Sequence, residues 1–164
     1  MTNEDYSQSF LPLIGTTPKI LILGTMPGIE SLKQHQYYAH PRNIFWKIIF
    51  EIFKGEFSID YQQRTTFALK NELSLWDVCS SCFRKGSLDS DIKSEIPNKI
   101  HQLIEQNASF STIIFNGQKA EKLYKKHFEQ LPNKKYFTAL STSPANASYT
   151  FEQKLENWKT GLLS

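Results

Sequence analysis

Apolar residues follow two alternating patterns along this chain, short continuous runs and longer stretches with helical spacing. The runs are typical of buried β-strands and cover residues 19–24, 73–78, 112–115 and 136–140. The longer stretches predict helices over residues 43–53, 61–70, 92–106, 117–128 and 151–162. Strands that alternate with helices indicate a parallel sheet with both faces covered. We therefore predict an α/β fold of three layers, α/β/α, around a central four-stranded parallel sheet.

Two of these predicted helices carry further expectations. We expect Pro41 in the opening turn of the first helix, where its missing N–H costs nothing. The helix predicted over residues 92–106 should turn one face towards the core, with Ile96, Ile100, Leu103 and Ile104 inward. Both helices would then pack against the sheet.

Four polar or glycine-containing segments come directly after the predicted strands. They are residues 24–28, 79–90, 116–117 and 141–147. In an open parallel sheet, ligands bind outside the carboxyl ends of the strands, because the connecting loops converge there. The order of the elements therefore predicts that these segments lie along one rim and form a ligand site.

Length, composition and charge narrow the class of protein. The chain has 164 residues, and we expect residues 1–164 to form a single domain. Hydrophobic residues make up 40% of the chain, which excludes the composition of disordered proteins. The net charge of +3 is compatible with nucleic-acid binding without demonstrating it. The apolar runs are too short to span a membrane and residues 1–9 are polar, so we expect a cytoplasmic protein with no membrane partner.

The cysteines Cys79 and Cys82 are spaced as C-x-x-C. A zinc site would need two more ligands from only four histidines, and an iron–sulfur cluster usually needs four thiolates. We therefore expect two reduced cysteines and no metal. The chain also lacks a glycine-rich dinucleotide fingerprint and a phosphate loop, so no cofactor is expected.

Five ordered blocks between about residue 20 and residue 158 resemble the uracil-DNA glycosylase superfamily, especially its hypoxanthine-DNA glycosylase branch. The blocks are Gly24-Thr25-Met26-Pro27-Gly28, residues 36–43, residues 81–90, Phe115-Asn116-Gly117 and residues 141–147. This resemblance implies an enzyme that flips a deaminated base, hypoxanthine or uracil, out of damaged DNA and cleaves its N-glycosyl bond. No lysine falls within the blocks assigned to base contact, so we expect a monofunctional enzyme that leaves an abasic site.

The resemblance assigns base binding to the first block, to an aromatic residue and to an amide. Backbone N–H groups across Thr25, Met26, Pro27 and Gly28 could donate to a carbonyl oxygen of the base. Tyr38 is expected to stack on the flipped base, with Tyr37 as the alternative. Asn116 could bond the base edge or cap the helix that follows it.

Asn43 is the catalytic candidate. The best-known branches of the superfamily carry a water-positioning Asp or Asn at the third position of the first block. Here that position is Met26, which can neither orient water nor act as a base. The resemblance to the hypoxanthine-DNA branch points instead to Asn43, whose amide could hold water or donate to the base. The structural alternative is that Asn43 only braces the start of a helix.

Contacts to the DNA strand are expected from three places on the rim. The candidates are His40, Arg84, Ser141, Thr142, Ser143, Pro144 and Asn146. His40 could instead brace its loop, and the serine-rich segment could be an ordinary connection. Asp89 could be a second catalytic acid, although a loop-bracing role is the expected one. The cluster of Lys119, Lys122 and Lys126 is expected to be a solvated helix face.

The sequence is also compatible with two other functions. A binding module could keep the pocket but only recognise damaged or single-stranded DNA, because Met26 replaces a polar group. A small-nucleotide hydrolase could use the same rim on free nucleosides. In each case we expect a monomer.

Overall fold

A computed structural model describes residues 3–164, and at its centre is a four-stranded parallel sheet. Its strands in chain order are β2 Ile20–Gly24, β3 Leu73–Asp77, β6 Thr112–Asn116 and β7 Lys135–Ala139, and they lie side by side in the order β3-β2-β6-β7. Each prediction of a core strand is confirmed to within one or two residues. Met1 and Thr2, which belong to the predicted domain, lie outside the described residues.

Helices cover both faces of this sheet, as predicted. They are α1 Ile29–Gln34, α2 Phe45–Ile52, α3 Tyr61–Lys70, α4 Ile100–Gln106, α5 Gln118–His127 and α6 Phe151–Leu162. Alternate residues of a strand point to opposite faces. Ile22 therefore packs with Ile48 of α2 and Trp158 of α6, whereas Leu23 packs with Ile100 of α4 and Leu123 of α5. These two cores confirm the three-layer arrangement.

A second, three-stranded antiparallel sheet was not predicted. It consists of β1 Tyr6–Gln8, β4 Cys79–Phe83 and β5 Lys93–Pro97, in the order β1-β4-β5. Strand β4 lies within the segment predicted as a loop over residues 79–90. Its Cys79 and Cys82 are buried, unpaired thiols, and burial raises the pKa of Cys79 to about 12. Both cysteines therefore serve as small core residues.

The helix predicted over residues 92–106 is wrong in its first half. Strand β5 occupies residues 93–97, and α4 begins only at Ile100. Pro97 explains the difference, because a proline disfavours helical geometry at the residue before it and cannot donate in a helix interior. Ile96, predicted to face the core, is 60% exposed, while Ile100 and Ile104 are buried as expected.

The ends of two other elements also differ from prediction. Helix α2 begins at Phe45, so Pro41 lies in the turn before the helix and not in its first turn. Helix α1 was missed, because its six residues are too few for an apolar period to be visible. Within residues 3–164, no helix combines the length and hydrophobicity needed to cross a bilayer.

Candidate active site

The loops at the carboxyl ends of the central strands are joined through Thr142. The Asn116 side chain, at the end of β6, accepts a hydrogen bond from the Thr142 backbone N–H at 3.0 Å and donates to its hydroxyl at 2.9 Å. The Thr142 carbonyl accepts from the Ile44 backbone N–H at 3.2 Å. Three predicted site segments, which contain Asn43, Asn116 and Ser141 to Asn146, are thereby held together at one rim.

The same bonds limit what Asn116 can do. Its side-chain oxygen and one N–H are occupied by Thr142, so at most the second N–H could reach a base. Next to it, Gly117 has a φ of 97°, and a Cβ there would lie 3.1 Å from the Ser141 Cβ. A glycine is therefore required where β6 turns into α5.

The turn after β2 is fixed through its carbonyl oxygens. The Gly24 and Thr25 carbonyls accept from the backbone N–H groups of Val78 at 2.8 Å and Cys79 at 3.0 Å, and the Pro27 carbonyl accepts from Arg84. By contrast, the backbone N–H groups of Thr25, Met26 and Gly28 make no hydrogen bond within the described residues. The turn therefore presents donors without internal acceptors, as an oxyanion-binding turn requires.

Met26 turns its side chain away from the rim. It is 6% exposed and packs in the core with Leu23, Trp76 and Val78. Only its backbone can therefore face a ligand. Met26 does not provide the polar side chain that the first block lacks.

Thr25 and Asp89 form the side of the turn. The Thr25 hydroxyl donates to the Asp89 carboxylate at 2.6 Å, and the Ile29 backbone N–H donates to the Ser87 hydroxyl at 2.8 Å. These contacts connect the first block to the segment that follows β4. The expected loop-bracing role of Asp89 agrees with this geometry.

Arg84 lies behind the turn rather than on the surface. Its side chain is 1% exposed, it donates to the Pro27 carbonyl, and its Nη1 lies 3.9 Å from Asp89. Its Nε and Nη1 atoms have no hydrogen-bond partner. In this conformation Arg84 cannot touch a DNA strand, and its visible role is to fix the turn. The sequence could not reveal this burial, because charged residues in loops are usually exposed.

Tyr38 lies at the carboxyl ends of β2 and β3. Its backbone has a φ of 55°, and its ring packs on Phe45 with the centroids 4.1 Å apart and the planes inclined by 32°. Its hydroxyl is buried and makes no hydrogen bond of normal geometry, and the Asn116 amide is a polar group beside it. Burial, followed by the Asp77 charge, raises the pKa of this hydroxyl, and the Asn116 amide opposes part of that effect. Tyr37 is buried and donates to the Leu11 carbonyl at 2.9 Å, so Tyr38 is the better placed of the two.

Asn43 and His40 both brace the loop before α2. The Asn43 side-chain oxygen accepts from the Phe45 backbone N–H at 3.0 Å, and its side-chain nitrogen makes no hydrogen bond within residues 3–164. The His40 Nδ1 accepts from the Arg42 backbone N–H at 3.0 Å, which leaves Nε2 as the nitrogen that can donate. Both side chains therefore brace the loop, and in each one a further polar atom makes no hydrogen bond within the described residues.

The serine-rich loop after β7 is braced by its own hydroxyls. The Ser141 and Ser143 hydroxyls each accept at 3.2 Å, from the backbone N–H groups of Ser143 and Ala145. Asn146 donates to the Ser141 carbonyl at 3.1 Å, and its own carbonyl accepts from Lys154 at 2.7 Å. Pro144 lies half-buried within this loop. The loop is therefore braced by its own hydrogen bonds and by one from α6.

Asp77 is a rim residue that the sequence reasoning missed. It ends β3, is 4% exposed, and its Oδ2 atom has no hydrogen-bond partner. Burial raises the pKa of Asp77 to about 7, with a further increase from Asp89 and a decrease from Arg84. The available signal was an acidic residue at the end of a largely apolar strand, two residues before Cys79.

Neither of two cavities in the structure includes the rim. One, of about 480 Å³, lies beside Phe50 and Phe67, and the other, of about 440 Å³, lies beside Trp76 and Leu103. Among the described residues, no three His, Cys, Asp or Glu side chains are grouped to hold a metal ion.

Comparison with known proteins gives consistent results. The family model of the Uracil DNA glycosylase superfamily matches residues 11–162. A hypoxanthine DNA glycosylase from Methanosarcina barkeri is 39% identical over 114 residues, which are 69% of this chain and 72% of the relative. One from Methanosarcina acetivorans is 34% identical over the same shares. The solution NMR structure of a protein from Methanosarcina acetivorans, designated a uracil DNA glycosylase, has a TM-score of 0.80 and 28% identity, and covers 96% of each chain.

Proposed function

Because the chain belongs to the uracil DNA glycosylase superfamily and is a hydrolase of N-glycosyl bonds, we propose that it excises hypoxanthine from DNA and leaves an abasic site. Uracil is the second base that we propose as a substrate. The observation that carries this proposal is the turn after β2, where the backbone N–H groups of Thr25, Met26 and Gly28 lack internal acceptors. They can receive a carbonyl oxygen of a deaminated base.

The turn would act on the leaving group. As the glycosyl bond breaks, negative charge builds up on the base and positive charge on the sugar. Backbone N–H groups that are already fixed in place stabilise such charge without reorganising, and removing one such donor typically costs about 2.7–4 kcal/mol of barrier. Arg84 holds the turn in that position from behind through the Pro27 carbonyl.

Asn43 would supply the remaining polar contact. The Phe45 N–H occupies one lone pair of its side-chain oxygen, so the second lone pair can hold a water molecule. Its unpaired side-chain nitrogen can donate to the base. Either contact would replace the function that Met26 cannot perform.

Tyr38 would hold the base by stacking. Phe45 supports one side of its ring, which fixes the plane on which a base can lie. Stacking between a base and an aromatic side chain is worth about 1–3 kcal/mol and is tolerant of base identity. Tyr38 would therefore contribute affinity for an extruded base, and the polar groups would select which base is cleaved.

The DNA strand itself would be held by the loop after β7 and by His40. Ser141, Thr142, Ser143, Pro144 and Asn146 form a braced segment beside the base site, and backbone donors and small hydroxyls are suited to phosphate oxygens. We further propose that the protein acts as a monomer in the cytoplasm, without metal or cofactor.

An incision assay tests this function. Duplexes with one deoxyinosine or one deoxyuridine are incubated with excess protein and then treated with alkali, which cleaves abasic sites. The wild type should release hypoxanthine, and Asn43→Ala should lower its single-turnover rate by well over tenfold, which is about 1.4 kcal/mol of barrier.

Asn71→Ala is the matched control for Asn43→Ala. Asn71 also makes one side-chain hydrogen bond, to the Phe67 carbonyl at 2.9 Å. It lies just before the amino end of β3, at the opposite end of the strands from the rim. Asn71→Ala should keep the wild-type rate. No alkali-sensitive product from either duplex would refute the proposed function, and equal rates for Asn43→Ala and wild type would remove Asn43 from the mechanism.

A binding module is the second candidate, and the burial of Met26 favours it. If no other group activates water, the protein would bind a damaged base without turnover. Salt-dependent affinity for the deoxyinosine duplex combined with no alkali-sensitive product would establish this alternative.

A further inference from the structure

The segment directly before Asn43 is a tight turn with an exposed tip. The His40 carbonyl accepts from the Asn43 backbone N–H at 2.9 Å, which is the hydrogen bond that closes a β-turn. The two central residues are Pro41 and Arg42, and both are exposed. Pro41 restricts the backbone of the turn, and the His40 Nδ1 atom accepts from the Arg42 backbone N–H at 3.0 Å. The backbone of Arg42 is therefore fixed, while its side chain reaches into solvent.

This turn lies against the serine-rich loop after β7. The Ile44 backbone N–H, one residue after Asn43, donates to the Thr142 carbonyl at 3.2 Å. The turn and the loop are therefore neighbouring parts of one surface at the rim. Arg42 is thereby placed beside the loop to which we assign the DNA strand.

The serine-rich loop has no exposed positive charge of its own. Residues 141–153 contain neither lysine nor arginine. Lys154, which follows them, is 5% exposed and donates to the Asn146 carbonyl at 2.7 Å, and Arg84 is also buried. Hydroxyls and backbone N–H groups can orient a phosphate, but cations that neutralise phosphates supply much of the affinity for DNA. A DNA strand on this loop therefore needs a cation from a neighbouring segment.

Arg42 meets this requirement. It takes part in none of the ion pairs in the described part of the chain. A guanidinium is planar and donates two parallel N–H bonds, which match two oxygens of one phosphate. We propose, on the basis of the function proposed above, that Arg42 binds a backbone phosphate of the strand that carries the extruded base. Because Arg42 immediately precedes Asn43, this contact positions the strand relative to the catalytic candidate.

The salt dependence of binding tests the contact. The probe is a duplex with one 2′-fluoro-deoxyinosine, which resists cleavage, and its dissociation constant is measured at about 50 to 200 mM salt. Each neutralised phosphate contributes about 0.9 to the slope of log affinity against log salt, so Arg42→Gln should make the slope shallower by about 0.9. Its affinity at the lowest salt should fall about tenfold. Arg42→Lys should keep the slope but bind more weakly, because it retains the charge without the planar fork.

Lys70→Gln is the matched control for Arg42→Gln. Lys70 is also exposed and takes part in no ion pair within the described residues, but it lies in the last turn of α3, at the opposite end of the strands from the rim. Lys70→Gln should therefore keep the wild-type slope. An unchanged slope in Arg42→Gln, or an equal change in both variants, would overturn the proposal.

An undamaged duplex of the same sequence separates this proposal from the proposed function. A phosphate contact carries no base information, so Arg42→Gln should show the shallower slope on this duplex as well. That result supports the role of Arg42 even if the deoxyinosine duplex gives no alkali-sensitive product. Base release by the wild type together with an unaltered slope in Arg42→Gln rejects the phosphate contact and keeps the enzyme.

Discussion

Replacing Asp77 by asparagine should change how the stability of the protein depends on pH. In the folded protein burial raises the pKa of Asp77 to about 7, from an ordinary value of 3.8. Between these values the folded state keeps the proton and the unfolded state has lost it. The free energy of unfolding of the wild type therefore falls as pH rises through this window, and the stabilisation is fully present only below it.

The size of this effect follows from the shift. One pKa unit corresponds to 1.36 kcal/mol, so the two units between pH 5 and pH 7 correspond to about 3 kcal/mol. Above pH 7 the contribution is constant. Asparagine does not titrate, so the stability of Asp77→Asn relative to wild type should increase by about 3 kcal/mol between pH 5 and pH 8.

Urea unfolding of both proteins at pH 5 and pH 8 provides the measurement. Taking the difference between the two proteins at each pH cancels the titrating groups that do not interact with Asp77. Glu95 does not titrate between pH 5 and pH 8. Burial raises its pKa, but hydrogen bonds from Lys126 and His127 lower it to about 2, so it stays ionised at both pH values. An unchanged difference between pH 5 and pH 8 would show that Asp77 is already ionised in the folded protein, and the reasoning would fail.

Three further substitutions test the packing of the site and the sheet. Gly161→Ala should lower the free energy of unfolding by about 1–3 kcal/mol, because its Cβ would overlap the Phe137 ring; unchanged urea stability would contradict this. Tyr38→Phe should raise the free energy of unfolding by about 1 kcal/mol, since the buried hydroxyl makes no hydrogen bond of normal geometry. A lower melting temperature of the variant would show that the hydroxyl has a partner. Asn116→Ala should cost about 2 kcal/mol by leaving Thr142 unsatisfied, and amide exchange at Thr142 should accelerate by a corresponding factor.

Several elements could be predicted because their signal is local. The four central strands are short apolar runs, and α2 and α6 show a helical period. In both cases the spacing of apolar residues along the chain predicts which side chains are buried against the sheet. The gathering of the polar segments at one rim followed from topology alone, because the loops after parallel strands converge at one edge. By contrast, the helix predicted over residues 92–106 failed where Pro97 lies, and β5 formed instead through pairing with β4.

Side-chain roles were less accessible. Asn43 and His40 were identified as residues that could brace loops, because amides and imidazoles commonly accept hydrogen bonds from nearby backbone N–H groups. The alternative that Asn116 caps the helix after it is wrong, because its side chain bonds Thr142 instead. The burial of Arg84 and the direction of Met26 depend on partners far away in sequence. No local pattern encodes such contacts.

The sequence by itself determined the layered fold, the rim at which polar segments gather, and the enzyme superfamily. Only the tertiary structure decided that Thr142 joins three of these segments and that Asp77 is closed off from water beside Tyr38. The reason is physical. Apolar periodicity is a property of consecutive residues, whereas desolvation and hydrogen-bond partners arise when residues that are distant along the chain are brought into contact.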